Sequence, residues 1–454
     1  MKNKIIYVSL FSLMLGCVSS KYKPIDLSEE LNYNQKEVDE KYTINTEWWK
    51  NYNNKELDNL INLALKNNVD YIKTALNVNK ELYRLNLAKA DLFPTLNGKI
   101  DASSGRDIYK HDSFTNNFSG EVGISYEIDL YGKIRDAKNA QEFEYQATVM
   151  DRESAKLSLV NSVIDLYYNL LYLNSSIEAT KSNLENYKKI YSLMENKFED
   201  GYTDSLELLQ ASQAVSTAKN NLLNLQTQYK EVEKSLRTLL VLKPEEKLDI
   251  SFNNILSTKN VAVDIDVPLS VLAERPDLKA SQYRLEKAFK NLRAEDKNWY
   301  PSISIKGVIS TSADKIDNTF DFGNILGNIS ISLPFLDWNR VRNNIKISEV
   351  DYQTALFEFR DSLNTALNEV VYYYASYLNS ENSFKNSQKK YDESLKITEY
   401  YKDRYEGGKI ELKDYLDALN TENNSKIDLI QNKYQYLKYE NMVYKSMAGQ
   451  YIKK

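Results

Sequence analysis

Residues in the second half of this chain answer residues in the first at a constant spacing of 207 positions. Pro301 stands to Pro94 in this way, each following an aromatic residue (Tyr300, Phe93). Asp277 stands to Asp70, Arg340-Val341-Arg342 to Lys133-Ile134-Arg135, Gly408 to Gly201 and Ala418 to Ala211, and no gap is needed between Asp70 and Ala211. A repeat of this size constrains the architecture before any motif is read. The chain is expected to fold as two similar units whose equivalent elements face equivalent places: a first repeat over 55–243, a connector over 244–268 and a second repeat over 269–454.

Within each repeat the hydrophobic period changes from helix to strand and back. From Lys55 to Leu92 apolar residues return every three or four positions (Leu57, Leu60, Ile61, Ala64, Leu65), which predicts an amphipathic helix stopped at Phe93-Pro94. The period then becomes two. Leu96, Gly98, Ile100 and Ala102 alternate with polar residues over 95–104, as do Phe118, Gly120, Val122, Ile124, Tyr126 and Ile128 over 118–129, predicting a strand pair over 95–129 joined by a loop at 105–117. Between Lys133 and Lys243 there is no proline and one glycine, Gly201. The spacing predicts a helical hairpin over 133–242, turning at Asp200-Gly201, whose first helix would be roughly 100 Å long at 1.5 Å per residue. The second repeat predicts the same plan: a helix to Tyr300, a strand pair over 302–333 closed by Pro334, and a hairpin over 338–448 turning at Gly407-Gly408. Pro94, Pro301 and Pro334 mark the helix–strand junctions. Residues 18–50 read as an irregular leader ending in Trp48-Trp49.

Four strands with one apolar face, in a chain of mean hydropathy −0.56, need a cover. A soluble β-sandwich would supply one, but no second sheet is legible. Strands of about ten residues with alternating faces suit a bilayer-spanning β-segment. A four-stranded open sheet cannot sit in hydrocarbon, because its edge N–H and C=O groups would be unpaired. Several copies are therefore expected to share one barrel, with Lys99, Asp101, Glu121, Glu127, Asp129 and Lys306 lining a wet interior. The long helices, with heptad-like stripes, would pack around the same axis.

The N-terminus predicts export. Lys2 and Lys4 precede an apolar run from Ile5 to Leu15, too short to span a bilayer, so 1–16 reads as a signal peptide. Cys17, the only cysteine, follows Gly16 where the sequence resembles a bacterial lipobox, with Met14 and Leu15 as departures from its usual residues. Acylation of Cys17 would tether a leader over 17–54 to outer-membrane lipid. No other stretch of eighteen apolar residues exists.

The segments WWKNYNNKELDNLI (48–61), ALKNNVDYIKTA (64–75), FPTL (93–96), SYEIDLYGKIRDA (125–137), AERPDLKASQ (273–282), YPSIS (300–304), SLPFLDWNR (332–340) and YEGGKIELKDYLDA (405–418) resemble the TolC-type outer-membrane efflux family, in its lipoprotein branch. The resemblance runs from Trp48 nearly to the C-terminus. It implies a mainly α chain with a small β part. Long antiparallel helical hairpins would form a periplasmic tunnel, and four strands per chain would contribute to a twelve-stranded transmembrane barrel shared by a homotrimer. It also implies a passive exit duct for solutes delivered by an inner-membrane pump and a periplasmic adaptor, or a channel for type I protein secretion. The family's tunnel closes where the hairpin turns (Gly201, Gly407, Gly408) meet. There the resemblance assigns Asp414 and Asp417 to acidic rings, and Tyr405 with Glu207 to a latch. Ile410 and Leu206 depart from the polar residues of a second latch. Rings of like charge in a constriction should raise one another's pKa and attract cations. Read by position alone, Asp414 and Asp417 are equally solvated acids near a helix N-terminus, where the macrodipole favours them.

Other classes fit less. A net charge of −5 argues against nucleic acid. The one histidine, His111, lies in a loop, which leaves no catalytic triad or histidine metal site, and no phosphate loop precedes a helix. No cofactor is expected, and an enzyme is disfavoured. A lipid-anchored coiled-coil adhesin would explain Cys17 and the helices but not the strands or the duplication.

Overall fold

The structure, a computed structural model, describes residues 27–454 apart from 108, 110–112, 249, 252–253, 262 and 265–266. The expected signal segment, Cys17 and His111 lie outside the described residues. Helices α1 (Leu27–Glu30) and α2 (Gln35–Lys41) lead to strand β1 (Tyr42–Asn45) and a 3-10 turn over Trp48–Tyr52. The leader is thus more ordered than its sequence predicts. The missing signal is a partner at the far end of the chain: β1 pairs antiparallel with the C-terminal strand over Gln450–Lys453 (Tyr42 opposite Lys453).

Helices α3 (Lys55–Asn67) and α4 (Val69–Ala90) replace the single predicted helix. Asn68 makes the break. Its ψ of 119° leaves the helical region, its Oδ1 accepts from Tyr71 N at 3.0 Å, and its Nδ2 donates to Leu239 O at 3.0 Å. A side chain that caps one helix while bonding a neighbouring carbonyl outweighs the continuous apolar period. Next come β2 (Thr95–Gly105), β3 (Thr115–Ile128), α5 (Lys133–Glu199) and α6 (Ser205–Leu240). The connector carries two 3-10 turns, Ile255–Ser257 and Leu269–Glu274. The second copy follows as α7 (Pro276–Asp296), β4 (Ser302–Ala313), β5 (Asn324–Ser332), α8 (Trp338–Glu406), α9 (Leu412–Ser446) and the closing strand β6 (Gln450–Lys453). Pro94 and Pro301 each stand immediately before a strand, and Pro334 opens a 3-10 turn at its first position, where a missing N–H costs nothing.

The strands form one antiparallel sheet in the order β2-β3-β4-β5. Register turns the sequence alternation into two faces. Rows Gly98–Val122–Ile309–Ile325, Tyr126–Ile305–Ile329 and Ile128–Ile303–Ile331 lie on one face; Lys99–Glu121–Ser310–Asn324 and Thr95–Ser125–Lys306–Asn328 lie on the other, broken only by Val308 and Leu326. Asp129 departs from its expected place on the polar wall. The strand ends at Ile128, and the Asp129 carboxylate accepts from Ile134 N and Arg135 N, both at 3.0 Å. Orphan N–H groups at the start of a 67-residue helix attract the acid more strongly than the sheet face does.

The chain divides into two compact units, and each draws on both repeats. Among the described residues, one contains 27–30, Ala75–Asp151 and Asp277–Ser362; the other contains Leu31–Thr74, Arg152–Pro276 and Leu363–Lys454. In the first unit the sheet accompanies a polar ladder between α5 and α7. Lys297 and Arg293 flank buried Asp136, Lys287 meets Glu144 at 2.9 Å, and Arg284 meets Asp151. In the second unit the apolar face of α3 (Leu57, Leu60, Ile61, Ala64) packs with Trp48, Val163, Ile164, Leu236 and Leu437 in the principal core. Trp48 has no exposed surface. Its Nε1 donates to Asn441 Oδ1 at 2.9 Å, and Asn441 Nδ2 donates onward to Asn161 at 2.7 Å.

Candidate functional site

The ends of the two hairpins carry the sequence-derived site residues, and their backbones repeat each other. Gly201 has φ +76° and Gly408 +69°, the left-handed conformation that favours glycine. Tyr202 N donates to Lys197 O (2.8 Å) and Gly201 N to Phe198 O (3.1 Å). At the same spacing in the second copy, Lys409 N donates to Arg404 O (2.9 Å) and Gly408 N to Tyr405 O (2.9 Å). Both are Schellman-type stops, which satisfy the last carbonyls of a helix. Gly407 has no positive φ; its N–H donates to Asp403 O at 3.1 Å.

Around these turns, Leu184, Tyr187, Met194, Ala211, Ala218, Leu412, Leu416 and Leu419 form a separate buried cluster with Tyr405 and Tyr415 at its edge. Tyr405 stacks on Tyr415 at 5.9 Å between centroids, and Lys197 Nζ sits 5.4 Å from the Tyr405 ring. The Tyr405 hydroxyl donates to Met194 Sδ at 3.4 Å, a weak acceptor. Its pKa is pushed up to about 12, first by burial and then by the nearby Glu207 carboxylate, so the phenol holds its proton and remains a donor. Glu207 lies close enough to act on Tyr405 electrostatically while accepting from Thr203 Oγ1. Met194, Lys197 and Tyr415 escaped the sequence reading because they are ordinary heptad residues there; their roles appear only when the two hairpin ends pack.

Asp414 and Asp417 are both exposed on the first turns of α9, three residues apart and on adjoining faces. Asp417 also borders a groove of about 320 Å³ with Gln210, Gln213, Thr217, Lys413 and Asn420. Leu206 is exposed and Ile410 half-buried, apolar where a second polar latch would stand. Among the described residues no group of three or more His, Cys, Asp or Glu is placed to hold a metal, and no helix is long and apolar enough to cross a membrane.

The sheet is the other candidate element. Strands β2 and β5 are exposed along their whole length. Among the described residues neither has a partner on its outer edge. Apolar side chains lie open on the same face: Leu96 at 77%, Ile325 at 86% and Ile329 at 72%. Helix α8 adds exposed Val350, Phe357, Val371 and Leu378, at multiples of seven residues, the spacing of a coiled-coil seam.

Comparison with known proteins agrees with this geometry. The family described as outer membrane efflux protein matches residues 60–241 and 267–449, two stretches whose starts are themselves 207 residues apart. The Toxin and drug export protein A of Aggregatibacter actinomycetemcomitans is 43% identical over 424 residues, 92% of each chain. The probable outer membrane lipoprotein SilC of Salmonella typhimurium is 24% identical over 429 residues, again 92% of each. The crystal structure of the Campylobacter jejuni CmeC outer membrane channel superposes with a TM-score of 0.81 at 24% identity, covering 96% of this chain and 94% of that one. A duplicated chain with this sheet, these hairpins and these relatives is an outer-membrane protein, and it belongs to the outer membrane efflux protein family.

Proposed function

We propose that the chain is the passive exit duct of a tripartite efflux assembly, working as a homotrimer with a periplasmic adaptor and an inner-membrane pump. The observation that carries the trimer is the sheet: four strands with an apolar face and, among the described residues, two unpaired edges. In lipid those edges must be closed by other strands, and three copies close a twelve-stranded barrel. The exposed heptad stripe of α8 supports the same partner, a second copy of this chain. A passive duct needs no chemistry of its own, and in this reading its energy comes from the pump. Cys17 is the proposed lipid anchor, a reading supported by the relative named as a lipoprotein. The relative named for toxin and drug export supports cargo of both kinds, so type I protein secretion stands as the second reading.

In this reading the hairpin ends form the periplasmic gate. Threefold symmetry would turn Asp414 and Asp417 into acidic rings, and Tyr405, a protonated donor near Glu207, would close the latch by exchanging Met194 Sδ for that carboxylate. In planar bilayers, Asp414→Ala with Asp417→Ala should raise single-channel conductance and weaken block by divalent cations, and Tyr405→Phe should add leak. Unchanged conductance and block would remove the acidic gate. Failure to migrate as a heat-modifiable oligomer would remove the shared barrel.

A further inference from the structure

The loop joining β4 to β5 does not stand free above the sheet. Its residues Asp314–Gly323 fold through a 3-10 turn at Ile316–Asn318, with Thr319 N donating to Ile316 O (3.1 Å) and Asp321 N to Asn318 O (3.2 Å). The loop then lies down on one face of the sheet. Thr311 Oγ1 donates to Asn318 O at 3.4 Å. A Cβ built on Gly120 would sit 2.9 Å from Thr319 O and 3.7 Å from the Phe322 ring. Gly120 alternates with Phe118 and Val122 and pairs with Thr311, so this is the apolar face, the one bearing Val122, Ile309 and Ile325. Small residues make the seat: Gly120 pairs with Thr311, and Ala102 and Ala313 flank Phe118 one row further along the same face. Thr311 and Thr319 are buried there, whereas Ile316, Phe320 and Phe322 stay exposed at 66%, 64% and 40%. Asp314, Lys315, Asp317 and Asp321 are exposed beside them.

We propose that the β4–β5 loop is a lipid-facing anchor that places Ile316, Phe320 and Phe322 in the boundary between acyl chains and headgroups at the outer rim of the barrel. The inference rests on the reading of the apolar sheet face as the membrane face. The loop continues that face, and it lies at the end opposite the helix junctions Pro94, Pro301 and Pro334, hence at the outer surface. Apolar rings above an apolar wall with charged neighbours match the order of a membrane interface: hydrocarbon, aromatic girdle, polar headgroups. The occupant is lipid because the loop covers the two central strands, β3 and β4, and not the edges β2 and β5 that a neighbouring copy would pair. A loop held outside the wall also cannot plug the pore mouth.

The test uses the wild-type oligomer in vesicles of phosphatidylcholine carrying a diazirine on the acyl chain close to the ester. After photolysis, peptides containing Ile316–Phe322 should carry lipid adducts at levels comparable to strand peptides containing Ile325–Ile331, and several-fold above peptides from the hairpin turn containing Tyr405 and Asp414. Strand adducts without loop adducts would overturn the anchor and leave the barrel standing. Absence of both would overturn the membrane face and the anchor together. Cross-links from the loop to a second copy of the chain would overturn lipid as the occupant. Gly120→Val, which removes the seat, should lower the loop adducts at least threefold while strand adducts persist; undiminished loop adducts would refute the seat.

Discussion

Glu440 offers the sharpest quantitative test, because two strong effects oppose each other on one carboxyl group. It has no exposed surface in the core of the second unit. Three donors point at it: the Tyr52 hydroxyl (2.9 Å) and Val261 N (3.1 Å) at Oε1, and Asn260 Nδ2 (2.7 Å) at Oε2. Lys433, itself lowered in pKa by burial, bonds Asn260 Oδ1 and adds a positive field. Donors and lysine favour the carboxylate, while burial favours the acid. Burial wins, and the pKa rises from 4.5 to about 7. The folded state therefore holds this proton more tightly than the unfolded chain does. The resulting stabilisation is complete below about pH 4.5 and is lost as pH rises through about 7. At 1.36 kcal/mol per unit, the whole loss is about 3 kcal/mol. Glu440→Gln cannot titrate, so this slope should vanish. At acid pH the variant should start about 2 kcal/mol lower, because its amide nitrogen would face the Asn260 donor and leave it unpaired. Hydrogen exchange around Asn260 and Val261, corrected for intrinsic rates and followed from pH 5 to 8, measures local opening of the connector. Wild type should lose protection with rising pH relative to the variant. Parallel profiles would refute the assignment of the slope to Glu440.

Two further outcomes follow from the packing. Gly201→Ala and Gly408→Ala should each destabilise the chain by about 1 kcal/mol, the cost of a left-handed φ for an L-residue. Nothing lies within 4 Å of the added Cβ at either site, so a clear inequality between the two in denaturant titrations would show that the turns are not equivalent. Trp48→Ala should cost about 3–5 kcal/mol and lower the temperature at which the oligomer dissociates in detergent gels, because it empties a fully buried site and orphans Asn441 Oδ1. An unchanged dissociation temperature would remove the leader from the core.

The parts of the fold legible in the sequence are those whose signal is local or repeated. Strand periods at 95–104 and 302–311 translate directly into β2 and β4, and the glycines at 201 and 408 into two superposable helix stops. What escaped depends on distant partners. Asn68 reads as one polar residue in a helix until Leu239 O stands beside it. Tyr42–Asn45 carries no strand signal without Gln450–Lys453 to pair with. Asp129 continues the alternation of β3, and only the helix start four residues on explains its departure. The candidate gate divides along the same line. Asp414, Asp417, Tyr405 and Glu207 came from motif resemblance, whereas Met194, Lys197 and Tyr415 came from contact between the hairpin ends.

Duplication has kept the two hairpin turns alike but not the seams behind them. Along α5 the buried positions Leu170, Leu173, Ile177, Leu184 and Tyr187 are large and mostly aliphatic. Their equivalents along α8 are Tyr377, Ser380, Phe384, Tyr391 and Ser394. Ser380, Ser387 and Ser394 are all buried at seven-residue intervals, and each hydroxyl donates to the carbonyl three residues back in its own helix. A serine satisfied by its own backbone carries no desolvation penalty, but it makes no bond across the seam and removes little apolar surface from water. At Ser380, whose counterpart is Leu173, the deficit is about 2 kcal/mol; at Ser387 there is none, because its counterpart Thr180 is a buried hydroxyl as well. The first copy has weak points of its own in the same seam: the Ser176 and Thr180 hydroxyls of α5 are buried without a hydrogen-bond partner among the described residues, whereas the serines of α8 are satisfied. Tyr405, Asp414 and Asp417 all sit at the end of the hairpin of α8 and α9. A gate built there would move against serines that hold no bond to the facing helix, so motion of α8 would break no hydrogen bond at Ser380, Ser387 or Ser394.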